Sequence, residues 1–221
     1  LLPPVGANTT SLPDPLVVVQ VCLEGEISRQ SVINSLSRGQ RPSGDMIPWL
    51  ISQQYQDDDF ASLSGARIVR IATHPDYAKM GYGSRALELL NDFYQGKAND
   101  LNESNSPDDD SLPRVEDYEF DNVDIKTDQV KVRDPRKMPP LLTKLSEKRA
   151  QRLDYLGVSY GLTPSLHKFW KRAGFVPLYM RQTANDLTGE HTCVMIKALT
   201  DTEDSRVANS AWLDAFARDF S

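Results

Sequence analysis

Apolar residues fall along the chain in short, strand-like runs that alternate with stretches of helical spacing. Five runs predict strands: PLVVVQVCLEG, ARIVRIAT, RLDYLGVSYG, FVPLYMRQT and HTCVMIKAL. The second run is apolar nearly throughout, which is typical of a strand buried on both faces. The last two runs flank the turn-rich segment ANDLTGE and predict a hairpin-like pair.

Helix signals stand between these runs. The segment SRQSVINSLSRG predicts a helix with Ser28 as its cap and Gly39 as its stop. A short second helix is predicted in SGDMIPWLISQQYQ, where Asp45 comes ahead of Pro48 near the first turn. A third helix is expected to start near Tyr82. Its apolar stripe consists of Leu87, Leu90, Phe93 and Tyr94.

Two further helices complete the pattern. In LTPSLHKFWKRAGF, Thr163 is placed as a cap, Pro164 stands at the first helical position and Gly174 lies just past the end. A last amphipathic helix carries Trp212, Leu213, Phe216 and Phe220. The order of strands and helices predicts an α/β domain with one core, built on a mixed sheet.

The composition is that of a globular chain. With 221 residues, 39% of them hydrophobic, it is long enough to bury a core. The longest apolar run, PLVVVQVCL, is far shorter than a membrane span and no stretch has signal-peptide organisation, so we expect an intracellular protein without membrane contact. Cys22 and Cys193 lack CxxC or Cys/His spacing, which predicts buried reduced thiols and no metal site. The absence of an initiator methionine suggests a piece of a longer polypeptide.

An acidic segment interrupts the predicted fold. Residues 98–128 hold eleven acids against Arg114 and Lys126, with many turn formers and few large apolar side chains. Such a segment buries too little surface to offset the entropy lost on ordering. We therefore predict a single domain over residues 1–221 with a flexible, acidic-to-basic insertion at 98–138.

The net charge of −6 at first argues against a nucleic-acid partner, but the excess of acids belongs to that one segment. Directly after its acidic part, residues 126–152 carry nine Lys or Arg against three acids. A basic surface of this kind suits a polyanion. A solvated face balanced by the acidic segment explains the pattern equally well.

A glycine pair marks the junction of the second strand and the third helix, in the segment HPDYAKMGYGSRALELL. A helix starting there presents the unpaired amides of its first turn and the positive end of its dipole. Because Gly81 and Gly83 lack Cβ atoms, a pyrophosphate can lie against the backbone. GxG alone is weak evidence, since a tight turn also favours glycine. A dinucleotide-binding fold would want GxGxxG, but residue 86 is Ala and the chain lacks repeated βαβ units with the expected acidic residue after the next strand. No GxxxxGK[ST] for ATP occurs either.

The strand and the turn together resemble motif A of the GNAT acetyltransferases, whose R/Q-x-x-G-x-G/A pattern cradles the pyrophosphate of acetyl-CoA. The segments RIATHPDY, MGYGSRAL, RLDYLGVSYGLTPSLHKFWKRAGFVP and RQTANDLTGEHTCVM are similar to the acetyltransferase module of eukaryotic RNA cytidine acetyltransferases. They span most of residues 60–199 outside the insertion. The resemblance implies a GNAT-like α/β fold, with a mixed, mostly antiparallel sheet flanked by helices.

The resemblance also implies a site for acetyl-CoA. Main-chain groups of a strand that splays from its neighbour would bind the pantetheine arm and the thioester, here at Ile71, Ala72 and Thr73. Arg172, on the later helix, matches a position expected to contact the cofactor, although a positive charge at a helix end is favourable by itself. Ala78 stands where the motif usually has Gln or Arg, so no side chain contributes there. The residues expected to hold the pyrophosphate are Ala78, Lys79, Met80, Gly81, Tyr82, Gly83 and Ser84.

His74 is the predicted catalytic residue. The exocyclic amine of cytosine is a poor nucleophile, so a base that removes its proton contributes roughly 100-fold or more. From the sequence alone, a turn histidine before Pro75 is the simpler interpretation, and the resemblance favours the base. The later helix lacks the tyrosine that many superfamily members use as general acid, which leaves that role unassigned. His167 and His191 are predicted to be surface or structural residues.

The resemblance implies acetyl transfer from acetyl-CoA to the N4 amine of cytidine in rRNA and tRNA within small-subunit biogenesis. It implies RNA as a partner, residence in the nucleus and nucleolus, and ATP only at a module absent from this chain. Ribosome-assembly factors and guide RNA are further candidate partners. Two alternatives stay open: a GNAT enzyme acting on protein or small-molecule amines, and a mainly structural module of a ribosome-assembly particle. The sequence does not decide which cytidines are modified or whether two copies form a homodimer.

Overall fold

The computed structural model describes Leu2, residues 13–40, 44–97, Leu145, and residues 148–199 and 211–220. The predicted insertion at 98–138 and most of the basic tract at 126–152 lie outside the described residues. Each predicted strand and helix is confirmed. The strands are β1 (Val17–Gly25), β2 (Ser64–Thr73), β3 (Tyr155–Gly161), β4 (Val176–Met180) and β5 (Thr192–Ala198). The helices are α1 (Arg29–Ser37), α2 (Met46–Tyr55), α3 (Tyr82–Tyr94), α4 (Pro164–Arg172) and α5 (Ala211–Phe220).

Local signals set the helix ends. Ser28 Oγ accepts a hydrogen bond from the Ser31 amide at 3.3 Å, and Thr163 Oγ1 accepts one from the Leu166 amide at 3.3 Å. Both side chains therefore satisfy amides that the helix itself leaves unpaired. Gly174 follows α4 with φ +87°, a conformation that favours glycine after a helix.

The five strands form one sheet in the order β1-β2-β3-β5-β4. Only β2 and β3 run parallel; the pairs β1–β2, β3–β5 and β4–β5 are antiparallel. The predicted hairpin of β4 and β5 is confirmed.

Helices cover the sheet on both faces. On one face, Leu87 of α3 and Trp170 of α4 pack with Leu156 and Met195 of the sheet. On the other face, α2 and α5 pack against Tyr155 and neighbouring strand residues, and α1 packs on α2 through Val32 and Trp49. In α5, Leu213 and Phe216 are buried, whereas the side chains of Trp212 and Phe220 lie outside the described part.

A buried carboxylate ties β1 to β2 and to the start of α2. Glu24, 5% exposed, forms an ion pair with Arg67 and accepts a hydrogen bond from the Ile47 amide at 3.1 Å. Asp45 precedes α2, but its side chain does not cap that helix and instead accepts from the Gly25 amide at 2.9 Å. A residue of β1 thus binds one of the amides at the start of α2 that Asp45 leaves unpaired.

The pairing of β2 and β3 is short. It runs only from Gly65 opposite Tyr155 to Ile68 opposite Val158. The register between β1 and β2 shifts at this point, with Gln20 opposite Arg70 and Val21 opposite Ile68, so that Val69 is an extra residue in β2. The two parallel strands therefore part after Ile68.

The prediction that β2 is buried on both faces is wrong for its second half. Val69 is 38% exposed, and Arg70 and Ala72 are also exposed. The reason is the parting of the strands, since beyond Ile68 this strand keeps β1 as its only sheet neighbour among the described residues.

Neither cysteine is in a disulfide. Cys193 is buried as predicted, but Cys22 is only half-buried, which corrects the expectation for that residue. Within the described ranges, no group of three or more His, Cys, Asp or Glu side chains could hold a metal ion. None of the helices in those ranges has the length and apolar character of a membrane span.

Candidate functional site

The end of β2 offers main-chain groups on one open edge. Ile71, Ala72 and Thr73 pair with β1 opposite Val19, Val18 and Val17. On their other side, the parting from β3 leaves no strand partner in the described part of the chain. The predicted splay of the strand is therefore observed, and the three predicted residues lie in it. Their contact with a thioester stays a prediction.

The loop after β2 turns through two residues with left-handed backbone. Lys79 has φ +65° and Gly81 has φ +88°, and Gly81 is the residue that precedes the first turn of α3. A left-handed conformation is costly for lysine, and such strain is concentrated at functional sites. Alternating backbone conformations of this kind turn successive N–H groups toward one concave surface, which is a common anion-binding arrangement.

Most amides of this loop have no acceptor in the part of the chain that the structure describes. Among the described residues, no hydrogen bond uses the backbone N–H of residues 79–84, and no side chain caps α3. Arg85 is the first to donate, to the Gly81 carbonyl at 3.0 Å. The Ala78 amide is different, because it donates to the Pro75 carbonyl at 3.2 Å. The structure therefore brings together Lys79, Met80, Gly81, Tyr82, Gly83 and Ser84 as free donors and leaves the Ala78 amide out.

The two glycines differ in their surroundings. A Cβ atom placed on Gly81 would meet no atom within 4 Å, so the space beside it is open. A Cβ atom on Gly83 would lie 3.5 Å from Thr73 Oγ1 and 3.7 Å from the Phe169 ring. Gly83 therefore faces the gap between the end of β2 and α4. The positive φ requires glycine only at Gly81.

Ser84 and Arg172 line the same cavity, of about 490 Å³, between α3 and the end of α4. Arg85 and Lys197 contribute further positive charge to its wall, with Glu88 and Asp92 opposing it. Burial lowers the pKa of Lys197, whose Nζ donates to the Ala173 carbonyl at 3.1 Å. Arg172 itself is exposed and has no ion-pair partner within the described ranges. Its side chain is therefore accessible to a cofactor, and the predicted contact stays a prediction.

His74 lies directly after β2, with its side chain 31% exposed. Its amide donates to the Leu16 carbonyl at 2.9 Å, and its ring is 5.5 Å from that of Tyr77. Nδ1 accepts a hydrogen bond from the Asp76 amide at 3.3 Å. The neutral ring therefore carries its proton on Nε2. To act as a base, His74 must free the Nδ1 lone pair from that amide, so the predicted role requires a movement of the ring.

The other two histidines make bonds within the protein. His167 Nδ1 is 3.2 Å from the Tyr160 hydroxyl, and His191 Nδ1 is 2.9 Å from the Arg181 carbonyl oxygen. Burial raises the pKa of Tyr160, with a smaller contribution from Cys193. The Tyr160 hydroxyl also donates to Met195 Sδ at 3.1 Å. These partners hold Tyr160 under α4.

Sequence reasoning missed a second cavity, of about 700 Å³, on the α2 face of the sheet. Its walls come from four separate segments: α2 with the residues before it, β3, the end of β4, and β5. No short motif signals a cavity of this kind, because its residues are far apart along the chain. Ser159, its contribution from β3, comes directly after Val158, the last residue paired with β2.

The family of the chain follows from a comparison with known proteins. The sequence profile described as GNAT acetyltransferase 2 matches residues 1–200. The chain belongs to this acetyltransferase family. The predicted GNAT-like architecture is confirmed, with a mixed, mostly antiparallel sheet flanked by helices.

Two relatives of this GNAT chain carry the name "RNA cytidine acetyltransferase". The one from Saccharomyces cerevisiae is 61% identical over 221 residues, and the one from Homo sapiens is 57% identical over 221 residues. Each match covers 100% of this chain but 20% and 21% of the respective relative. The chain thus spans about a fifth of the length of the curated relatives it matches.

Among solved structures, the ribosomal-protein-S18-alanine N-acetyltransferase from Escherichia coli is similar to this chain with a TM-score of 0.35 and 12% identity. The match covers 63% of this chain and 57% of that one. The family assignment does not depend on this likeness.

Proposed function

We propose that this GNAT chain is the catalytic domain of an RNA cytidine acetyltransferase, which transfers an acetyl group from acetyl-CoA to the N4 amine of cytidine in RNA. The observation that carries the proposal is the run of acceptor-free amides at residues 79–84, at the point where β2 has parted from β3. The relatives named RNA cytidine acetyltransferase, which match the chain over its whole length, support RNA as the acceptor.

The residues present fit acetyl-CoA. Free amides at the start of α3, the dipole of that helix and the open space at Gly81 suit a pyrophosphate. The open edge of Ile71, Ala72 and Thr73 suits the amide groups of an extended pantetheine arm. Acetyl-CoA supplies an activated acetyl thioester when it is bound.

The chain's own residues then have two tasks. The main chain at the end of β2 orients the thioester and offers N–H donors to the negative charge that develops on its carbonyl oxygen. His74 accepts the proton that the amine loses as the new C–N bond forms, once Asp76 no longer occupies Nδ1. Coenzyme A would also need a proton at its sulfur on leaving, and we assign no residue of the described part as its donor.

The proposal also covers the RNA substrates, the cellular location and the partners of the reaction. We propose rRNA and tRNA as the substrates, within ribosomal small-subunit biogenesis, and residence in the nucleus and nucleolus. ATP is expected at a module outside this chain, and assembly factors or guide RNA are expected to position the substrate. The resemblance of the sequence motifs supports these statements.

The test supplies labelled acetyl-CoA, RNA and a protein mixture together to the full-length protein. Label in N4-acetylcytidine, identified by nuclease digestion and chromatography, is the expected result. Label in protein, with none in RNA, would overturn the proposal. Incorporation nowhere, in a protein that still supports ribosome assembly, would favour the structural module instead.

A further inference from the structure

Three aromatic rings lie in a row between the end of β2 and the start of α3. The His74 ring is 5.5 Å from that of Tyr77, and the Tyr77 ring is 6.1 Å from that of Tyr82. Both separations fall within the range of about 4.5–7 Å over which aromatic rings attract each other. The two tyrosine rings meet at 88°, which is a favoured edge-to-face arrangement. Tyr77 is therefore the middle ring and has a neighbour on each side.

Tyr77 is not a core residue. It is 41% exposed, and within the described ranges it belongs to none of the buried hydrophobic clusters. An exposed aromatic side chain is common and needs no explanation by itself. This one is placed by a single 3₁₀ turn, Pro75–Tyr77, in which its amide donates to the His74 carbonyl oxygen at 3.0 Å. The local backbone thus places the Tyr77 ring beside the imidazole.

Tyr82 fixes the other end of the row. It is the first residue of α3, and it packs against a small buried cluster that includes Leu16. The carbonyl oxygen of the same Leu16 accepts the hydrogen bond from the His74 amide at 2.9 Å. The Tyr82 ring and the His74 backbone are thus held by one cluster, and the Tyr77 ring lies between the two outer rings.

The imidazole of His74 needs a contact that persists during proton transfer. Its Nδ1 accepts a hydrogen bond from the Asp76 amide at 3.3 Å, and this bond must break before Nδ1 can accept a proton. The contact with the Tyr77 ring does not use Nδ1, so it outlasts that step. An imidazole that accepts a proton becomes a cation, and the face of an aromatic ring attracts a cation within about 6 Å. Tyr77 can therefore hold the ring before and after the proton moves.

The Asp76 carboxylate is the alternative partner for the imidazole. Its Oδ2 lies 3.8 Å from His74 Nδ1, which is beyond hydrogen-bond distance, and its side chain is 82% exposed. Water screens a pair of this kind, so its contribution is small. The Tyr77 ring is the stronger candidate, because Tyr82 supports it from the other side.

We infer that Tyr77 is a positioning residue, whose ring holds the imidazole of His74 in place while Nδ1 exchanges the Asp76 amide for a proton of the acceptor amine. This inference rests on the proposed function, in which His74 is the base. It adds a residue that acts through His74 and that the sequence did not reveal. It also connects the base to the anion site, because Tyr82 begins the helix whose first amides have no acceptor in the described part of the chain.

The kinetic test compares Tyr77→Ala with Tyr77→Phe in the full-length protein. The ring acts on the base and not on the cofactor, so Tyr77→Ala is expected to lower kcat about 2- to 10-fold with KM for acetyl-CoA unchanged. Tyr77→Phe keeps the ring and should retain the wild-type kcat. Ile33→Ala, on α1 and 39% exposed, is the matched control and is expected to behave as wild type. A wild-type kcat in Tyr77→Ala, or an equal loss in Tyr77→Phe, would overturn the inference.

Chemical modification of His74 separates this inference from the proposed function, because it needs neither RNA nor acetyl-CoA. Diethyl pyrocarbonate attacks the unprotonated nitrogen of an imidazole, here Nδ1, and mass spectrometry of the peptides gives the rate at each histidine. Loss of the Tyr77 ring lets the imidazole leave the Asp76 amide more often. We therefore expect His74 to react about 2- to 10-fold faster in Tyr77→Ala and at the wild-type rate in Tyr77→Phe. The exposed His191 is the internal reference.

The outcomes are distinct. Equal rates at His74 in wild type and Tyr77→Ala would overturn the inference, whatever the activity of the variant. Faster modification in Tyr77→Ala alone, in a protein that never acetylates RNA, would sustain Tyr77 as the residue that holds the His74 ring and would refute the proposed function.

Discussion

Gly81→Ala tests the anion site at the start of α3 directly. Gly81 has φ +88°, where a residue with a Cβ atom costs roughly 1–2 kcal/mol more than glycine. The added methyl group would meet no protein atom within 4 Å, so it creates no clash within the fold. It would instead occupy the open space beside the free amides. The substitution thus combines a modest strain with an obstruction where the pyrophosphate is expected.

The magnitude follows from the donors that the methyl group displaces. A hydrogen bond to a charged group is worth about 1.5–3 kcal/mol, and the loss of one weakens coenzyme A binding roughly 10- to 140-fold. Isothermal titration calorimetry of the full-length protein with coenzyme A measures this change.

Gly39→Ala is the matched control for strain. Gly39 has φ +63° and open space around it, and it follows α1, away from the candidate site. Both variants are expected to lower the thermal midpoint by similar amounts, but only Gly81→Ala should lose affinity for coenzyme A. Wild-type affinity in Gly81→Ala, with the expected loss of stability, would refute the reasoning.

Three further predictions concern the base, the buried ion pair and a half-buried lysine. His74→Gln is expected to lower kcat for acetyl transfer roughly 100-fold or more with KM for acetyl-CoA unchanged, and steady-state rates equal to wild type would contradict the base role. Arg67→Met leaves the buried Glu24 carboxylate without its cation, and we expect it to lower the free energy of unfolding, measured with denaturant, by about 3–5 kcal/mol. Adding Glu24→Gln to this variant should restore part of that loss. Burial lowers the pKa of Lys197 in the folded protein below its ordinary value of 10.5. Between these two pKa values, Lys197 is protonated to a greater extent in the unfolded chain than in the folded protein. The free energy of unfolding therefore rises with pH through that window. Lys197→Met should flatten this rise in unfolding curves measured at several pH values, and an unchanged slope would argue against the shift.

Local features of the fold could be predicted from the sequence because their causes are local. The caps at Ser28 and Thr163 bind amides three residues away, and the start of α3 follows from the glycine turn before it. The strand runs were recognisable by composition and length. The family resemblance also predicted that β2 parts from its neighbour at Ile71–Thr73, as the structure shows.

Features built from distant residues could not be predicted in this way. Glu24, and not the neighbouring Asp45, binds the Ile47 amide at the start of α2, because β1 and α2 meet only in the folded chain. The exposure of Val69 depends on where β3 leaves β2, which the apolar run itself does not encode. One local contact also escaped prediction: the bond between the Asp76 amide and His74 Nδ1, which decides the tautomer, depends on the conformation of the folded turn.

Hydrogen–deuterium exchange of the full-length protein with and without coenzyme A tests the central claim most directly. The backbone N–H groups of residues 79–84 have no acceptor among the described residues, so they should exchange rapidly in the free protein. We predict that coenzyme A slows exchange in the peptide containing these residues. Bound coenzyme A that leaves their exchange unchanged, while protecting another part of the protein, would contradict the account.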